Sequence, residues 1–116
     1  MKLIVAGGRD FDDYEKLRHN INAFRSWYDV DEIVSGCASG ADKLGEKYAL
    51  LHGLKIKQFP ADWSKHGKSA GPIRNKQMVE YADACICFWD NESKGTKSMI
   101  NLAMAKGLVL KIISYK

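Results

Sequence analysis

The sequence is poor in proline, with two in 116 residues, and in cysteine, with three. So little proline excludes collagen-like and proline-rich linker architectures. An odd, low cysteine count excludes a dense disulfide framework, and free thiols in a reducing cytoplasm are the simpler account. Cys85 and Cys87, one residue apart in an apolar run, are expected on opposite faces of a strand, which would suit neither a disulfide nor a zinc pair. No apolar run is long enough to span a membrane. The stretch Met1–Gly8 is too short for a signal peptide and reads as a strand. His19, His52 and His66 fall at no metal-ligand spacing, and no Ser-His-Asp or Cys-His grouping is evident. Neither a metal site nor a resident cofactor is expected. Charge of one sign is also scarce: 18 basic against 14 acidic side chains leave a net +4. That balance permits an anionic ligand but lacks the strong basic excess of a nucleic-acid module.

What remains is an ordinary mixture, 46% hydrophobic and 28% charged, in a length that suits one domain over residues 1–116. Lys2–Ala6 is a nearly continuous apolar run ending in Gly7-Gly8, the pattern of a strand buried on both faces. Asp12 is placed as a helix N-cap, with Glu15 at capping-box spacing. Tyr14, Leu17, Ile21, Phe24 and Tyr28 then follow as one helical stripe. Glu32–Ser35 is a second strand. Gly40 to about Leu51 is a second helix with Gly53 as its stop. Lys55–Phe59 alternates polar and apolar residues as an edge strand does, and Pro60 ends it. Ala61–Ala70 reads as a basic loop, and Pro72 as the first residue of a third helix running to about Tyr81. Ala84–Trp89 is the most apolar strand, Asp90–Lys94 a loop, Thr96–Lys106 a fourth helix stopped by Gly107, and Leu108–Ser114 the last strand. Strict alternation of strands and helices predicts an α/β fold: a parallel sheet with helices on both faces.

In such sheets ligands bind beyond the carboxyl ends of the strands. Three of the segments that follow strands are rich in glycine or hydroxyls: Gly7-Gly8-Arg9-Asp10, Ser35-Gly36-Cys37-Ala38-Ser39-Gly40-Ala41-Asp42, and Asp90-Asn91-Glu92-Ser93-Lys94-Gly95-Thr96. Glycine lets backbone amides approach a phosphate, and helix starts at Ser39–Ala41 and Gly95-Thr96 would aim free N–H groups at the same crevice. Arg74 and Asn75, beside the Gly71-Pro72 helix start, suit a phosphate and a sugar or base edge. Lys65, Lys68 and Lys76 read as solvated charges. Asp42 and Glu46, four apart, share a helix face. With Asp10 they are the candidate catalytic carboxylates, and Asp42 or Asp90 could instead bind ribose hydroxyls. Asp42 could equally be a charge that stabilises a helix N-terminus. Trp63 and Trp89 could stack on a base, although Trp89 is better placed to cap the core, and Trp27 reads as core or interface.

Taken in series, Gly7–Phe11, Ser35–Asp42, Phe59–Trp63, Ala70–Asn75 and Ser93–Lys97 resemble the YspA-type branch of the SLOG superfamily over essentially the whole chain. The resemblance implies a Rossmann-like sheet of order 3-2-1-4-5. It also implies a pocket for nucleotides or nucleotide-derived molecules, such as ADP-ribose or NAD-related compounds, and an origin in bacteria or their phages. The wider superfamily includes DprA, which binds single-stranded DNA, and the LOG phosphoribohydrolases, which release a base from a nucleoside monophosphate. The LOG pattern has a glutamate three residues after Gly-Thr. Here Gly95-Thr96 is followed by Met99 at that place, so hydrolysis would fall to Asp10, Asp42 or Glu46. The leading expectation is therefore a cytoplasmic domain that binds a small phosphorylated nucleoside derivative through Gly7, Gly8, Arg9, Ser35, Gly36, Ser39, Gly40, Ala41, Asp42, Arg74, Asn75, Asp90, Ser93, Gly95 and Thr96. N-glycosidic hydrolysis or transfer and nucleic-acid binding stand as alternatives. The edge strand ending at Phe59, with Trp27 and Tyr28, is the expected surface for a homo-oligomer.

Overall fold

A computed structural model describes residues 1–116. Five parallel strands, β1 (Lys2–Gly7), β2 (Glu32–Ser35), β3 (Lys55–Gln58), β4 (Ala84–Trp89) and β5 (Val109–Ser114), form one sheet in the order β3-β2-β1-β4-β5. Helices α1 (Tyr14–Arg25) and α2 (Ala41–His52) cross over one face, and α4 (Ala70–Tyr81) and α5 (Lys94–Lys106) cross over the other. Between β3 and α4 lie a one-turn helix, α3 (Trp63–His66), and a 3-10 turn, Gly67–Ser69.

The strand period of two builds the two half-cores. Leu3 and Val5 of β1, Ile33 of β2 and Ile86 and Phe88 of β4 point to one side, against Leu17, Ile21 and Phe24 of α1 and Tyr48 of α2. Ile4, Val34, Cys85 and Cys87 point to the other, against Met78 and Val79 of α4 and Met99, Ile100 and Ala103 of α5. Central strands buried on both faces explain why β1 and β4 read as continuous apolar runs. The polar alternation of Lys55–Gln58 belongs to an edge. No helix is long and apolar enough to cross a membrane.

Several expectations are corrected. Cys85 and Cys87 do not face opposite ways: residues two apart in a strand share a face, and their Sγ atoms lie 3.4 Å apart in the α4–α5 core. The N-cap of α1 is Asp13, whose Oδ1 accepts from the Lys16 amide at 3.0 Å; Glu15 pairs with Arg18 at 2.8 Å instead of closing a capping box with Asp12. The segment read as a loop, 61–70, carries α3 and the 3-10 turn, so α4 opens at Ala70 and Pro72 falls at its third residue. α5 starts at Lys94, because Ser93 caps it through the Thr96 amide. Trp27 is 84% exposed and is no part of this chain's core. Trp89 lies at the core's edge, with its indole N–H donating to Ser93 O at 3.2 Å.

Candidate functional site

The crossovers change faces between β1 and β4, and the carboxyl ends of these two central strands open a cleft, the ligand position of doubly wound sheets. It encloses about 640 Å³. Of the residues singled out in the sequence, Gly7, Gly8, Arg9, Asp42, Arg74, Asn75, Asp90, Ser93, Gly95 and Thr96 line it. A second recess of about 300 Å³ adjoins it, lined by Gly36 and Ser39 among others, and the two share Arg9, Ala38, Trp63 and Arg74. Ser35, Gly40 and Ala41 line neither. They support the rim from beneath.

Each of the two helix starts leaves two first-turn amides free. At α2 the Ala41 amide bonds to Gly8 O at 3.2 Å while those of Asp42 and Lys43 have no acceptor in the protein, and in the loop before it the Ala38 amide bonds to Asp42 Oδ2 at 3.2 Å and that of Cys37 to Ser35 Oγ at 3.1 Å. The Ala41 amide expected in the crevice instead ties α2 to the β1 loop. Gly40 allows this approach. Its φ of +79° and ψ of −129° suit glycine, and a Cβ there would stand 2.2 Å from Gly8 O. At α5 only the Thr96 and Lys97 amides are taken, by Ser93 Oγ and Ser93 O. The amides of Lys94 and Gly95 have no acceptor in the protein and sit on the cleft wall at the positive end of a 13-residue helix.

Arg74 is held on two sides. Its Nη1 donates to Gly36 O, and its Nε donates to Asn75 Oδ1 at 2.9 Å. Asn75, buried, reaches across with Nδ2 to Gly95 O at 3.4 Å. The guanidinium is thus tied between the β2 loop and α4. Arg9, by contrast, is exposed at the rim.

The four candidate carboxylates part company. Asp10 lines the cleft but is bound by the Tyr115 hydroxyl at 2.6 Å and by the Lys116 ammonium, contacts that lower its pKa. Asp90 Oδ1 accepts the Glu92 and Ser93 amides at 2.9 and 2.7 Å and closes the turn into α5; these amide contacts lower its pKa. Glu46 lies outside the cleft, with Oε2 accepting from Ser35 Oγ at 2.6 Å and Oε1 from Gln58 at 3.2 Å. Asp42 is different. It is 5% exposed, and burial raises its pKa to about 6 despite the Ala38 amide and the nearby charges of Arg74 and Arg9. It is the one carboxyl in the cleft poised to exchange a proton near neutral pH.

The cleft also contains Lys94, Ser98, Met78, Met99 and Ala38, which the sequence reading did not select. Lys94 had a legible signal, a basic residue directly before the Gly95-Thr96 helix start. Met99, where the LOG pattern has glutamate, is 2% exposed and gives the floor an apolar wall.

Comparison with known proteins agrees with this architecture. A gene 61 protein of Mycobacterium phage D29 is 36% identical over 119 residues, covering 92% of this chain and 91% of that protein. The X-ray structure of DNA processing protein A (DprA) from Streptococcus pneumoniae matches with a TM-score of 0.79 at 18% identity, over 99% of this chain and 50% of that one. This chain therefore spans half the length of DprA, and the likeness is one of fold. The family model for YspA, cpYpsA-related SLOG proteins matches residues 1–66, from β1 through α3, including the Gly7-Gly8-Arg9 and Ser39-Gly40-Ala41-Asp42 turns. On these grounds the chain belongs to the YspA, cpYpsA-related SLOG family.

Proposed function

We propose that the β1–β4 cleft binds a small phosphorylated nucleoside derivative, of the AMP, ADP-ribose or NAD-related kind, and so senses or sequesters it. The observation that carries this reading is the convergence of Arg9, Arg74, Lys94 and the two acceptor-free amides of α5 on a single recess. The volume of about 640 Å³ lies within the usual range for small-molecule sites. Amides at a helix start and a guanidinium held by its own hydrogen bonds are preorganised for phosphate oxygens. Asp42 is the carboxyl left to accept a ribose hydroxyl, since Asp90 already serves the turn into α5.

Titration calorimetry with AMP, ADP-ribose and NAD tests the reading. At least one is expected to bind, and Arg74→Ala to weaken it by about tenfold to a hundredfold, the worth of a charge-assisted contact. No heat from any of the three would remove the proposal.

The burial of Asp42 in the cleft favours one second reading, hydrolysis of the ligand's N-glycosidic bond. A carboxyl raised to a pKa of about 6 keeps a minor protonated fraction at neutral pH that can pass its proton to the departing base while water adds to the ribose carbon. This reading expects free base to accumulate on incubation and Asp42→Asn to abolish that release. Ligand recovered intact after prolonged incubation would leave binding alone.

A further inference from the structure

Trp63 is the large aromatic side chain that neither the core nor the phosphate site explains. It is 51% exposed, and it lines both the main cleft and the adjoining recess. The apolar side chains more exposed than Trp63, namely Trp27, Leu50, Leu51 and Met104, line neither cavity. The indole of Trp89 has a hydrogen-bond partner and belongs to the cap of α5. The Trp63 indole N–H has none in the protein.

Local structure holds Trp63 in place. Asp62 caps α3, accepting from the Lys65 amide at 3.1 Å and the Ser64 hydroxyl at 2.9 Å, so the turn carrying Trp63 is set from its own start. The edge of the indole rests on α4: its Cη2 lies 3.5 Å from the point where a Cβ on Gly71 would stand. Gly71 and Arg74 are on that same helix, and Arg9 and Arg74 line both cavities alongside Trp63. An aromatic plane, half wet, thus stands at the junction of two recesses beside two guanidinium groups.

We infer that Trp63 is the stacking platform for the ligand's nucleobase, so that the site selects nucleotides over base-free sugar phosphates. The inference rests on the nucleotide reading above and adds what that reading lacks, the group that recognises the base. A π-face against the indole gains surface burial and dispersion without asking for a particular pattern of donors and acceptors.

The test uses the full chain, with AMP and ribose 5-phosphate as probes, in the wild type, Trp63→Ala and Trp63→Phe. Circular dichroism confirms that each variant is folded, as a half-exposed side chain allows. AMP is expected to bind Trp63→Ala about tenfold or more weakly, the worth of one stacked base. Trp63→Phe is expected to restore most of that loss, and ribose 5-phosphate to bind all three proteins alike. Equal AMP affinity in the wild type and Trp63→Ala overturns the stacking role while leaving nucleotide binding intact. If AMP does not bind the wild type, ADP-ribose or NAD takes its place as the base-bearing probe, and failure of all three to bind overturns the nucleotide reading and this inference with it. A single-stranded oligonucleotide that needs Trp63, where AMP does not, overturns the inference in favour of nucleic-acid contact.

Discussion

Asp42→Asn is expected to make the protein more stable at pH 7. In the folded chain burial raises the Asp42 pKa from the ordinary 3.8 to about 6; in the unfolded chain the carboxyl returns to water. Between those two values the folded state holds a proton that the unfolded state has released, so stability falls as pH rises through this window. Below about 4 the penalty vanishes, and above about 6 it is fully present. At about 1.36 kcal/mol per pH unit it amounts to on the order of 3 kcal/mol. Asparagine is uncharged, keeps an oxygen for the Ala38 amide and escapes that cost. Urea unfolding across pH 4–7 should show the wild type losing stability toward neutrality, a flatter profile for Asp42→Asn, and the two curves meeting near pH 4. Parallel curves would mean that the Ala38 amide and the charges of Arg74 and Arg9 cancel the effect of burial and the pKa is not raised. A group kept where it destabilises the fold is the usual mark of a residue retained for function.

The opposite sign is expected at Gly40. Gly40→Ala places a methyl group 2.2 Å from Gly8 O and 2.7 Å from the backbone of Arg9, in a conformation that side chains avoid. α2 cannot keep its seat against the β1 loop, and the bond from Ala41 N–H to Gly8 O is lost. The combined cost is about 3 kcal/mol or more, a fall in melting temperature of roughly 10–20 °C for a domain of this size. Ligand affinity should fall as well, because Arg9 rides on the displaced loop. Gly53→Ala is the control. Gly53 is also left-handed, at φ +67°, but nothing lies within 4 Å of its would-be Cβ, so only the conformational cost of about 1 kcal/mol should appear. Equal melting of the two variants would show that the close approach at Gly40 is not a constraint.

These two positions also mark what the sequence could and could not convey. Gly40 reads in the sequence as a phosphate-loop glycine, but the close approach that needs glycine is to the backbone of Gly8 and Arg9 in the loop after β1, about thirty residues away. The alternation of strands and helices, and with it the three turns at one rim, is legible because buried parallel strands write themselves as short apolar runs between helical stripes, whereas the strand order comes only with the resemblance to the SLOG superfamily. α3 was not legible: a single turn is too short to show a period, and its Asp62 cap resembles any loop aspartate. The fates of the carboxylates were hidden for a different reason. Asp10 meets Tyr115 and Lys116, more than a hundred positions away, and Glu46 meets Ser35 and Gln58 across α2, β2 and β3. Only packing could tell these two acids, already taken up by other side chains, from Asp42, which is buried at the cleft. The shared face of Cys85 and Cys87 is legible without a structure, since residues two apart in a strand point the same way.

Those two cysteines give the molecule a built-in gauge of its own opening. Both are fully buried, side by side, whereas Cys37 sits partly accessible in the β2 turn. An alkylating reagent added to native protein meets one thiol at once and the other two only when the central strand comes apart. Counting modified sulfurs by intact mass against time therefore reads the opening of β4 directly, without a dye, a tag or an engineered probe.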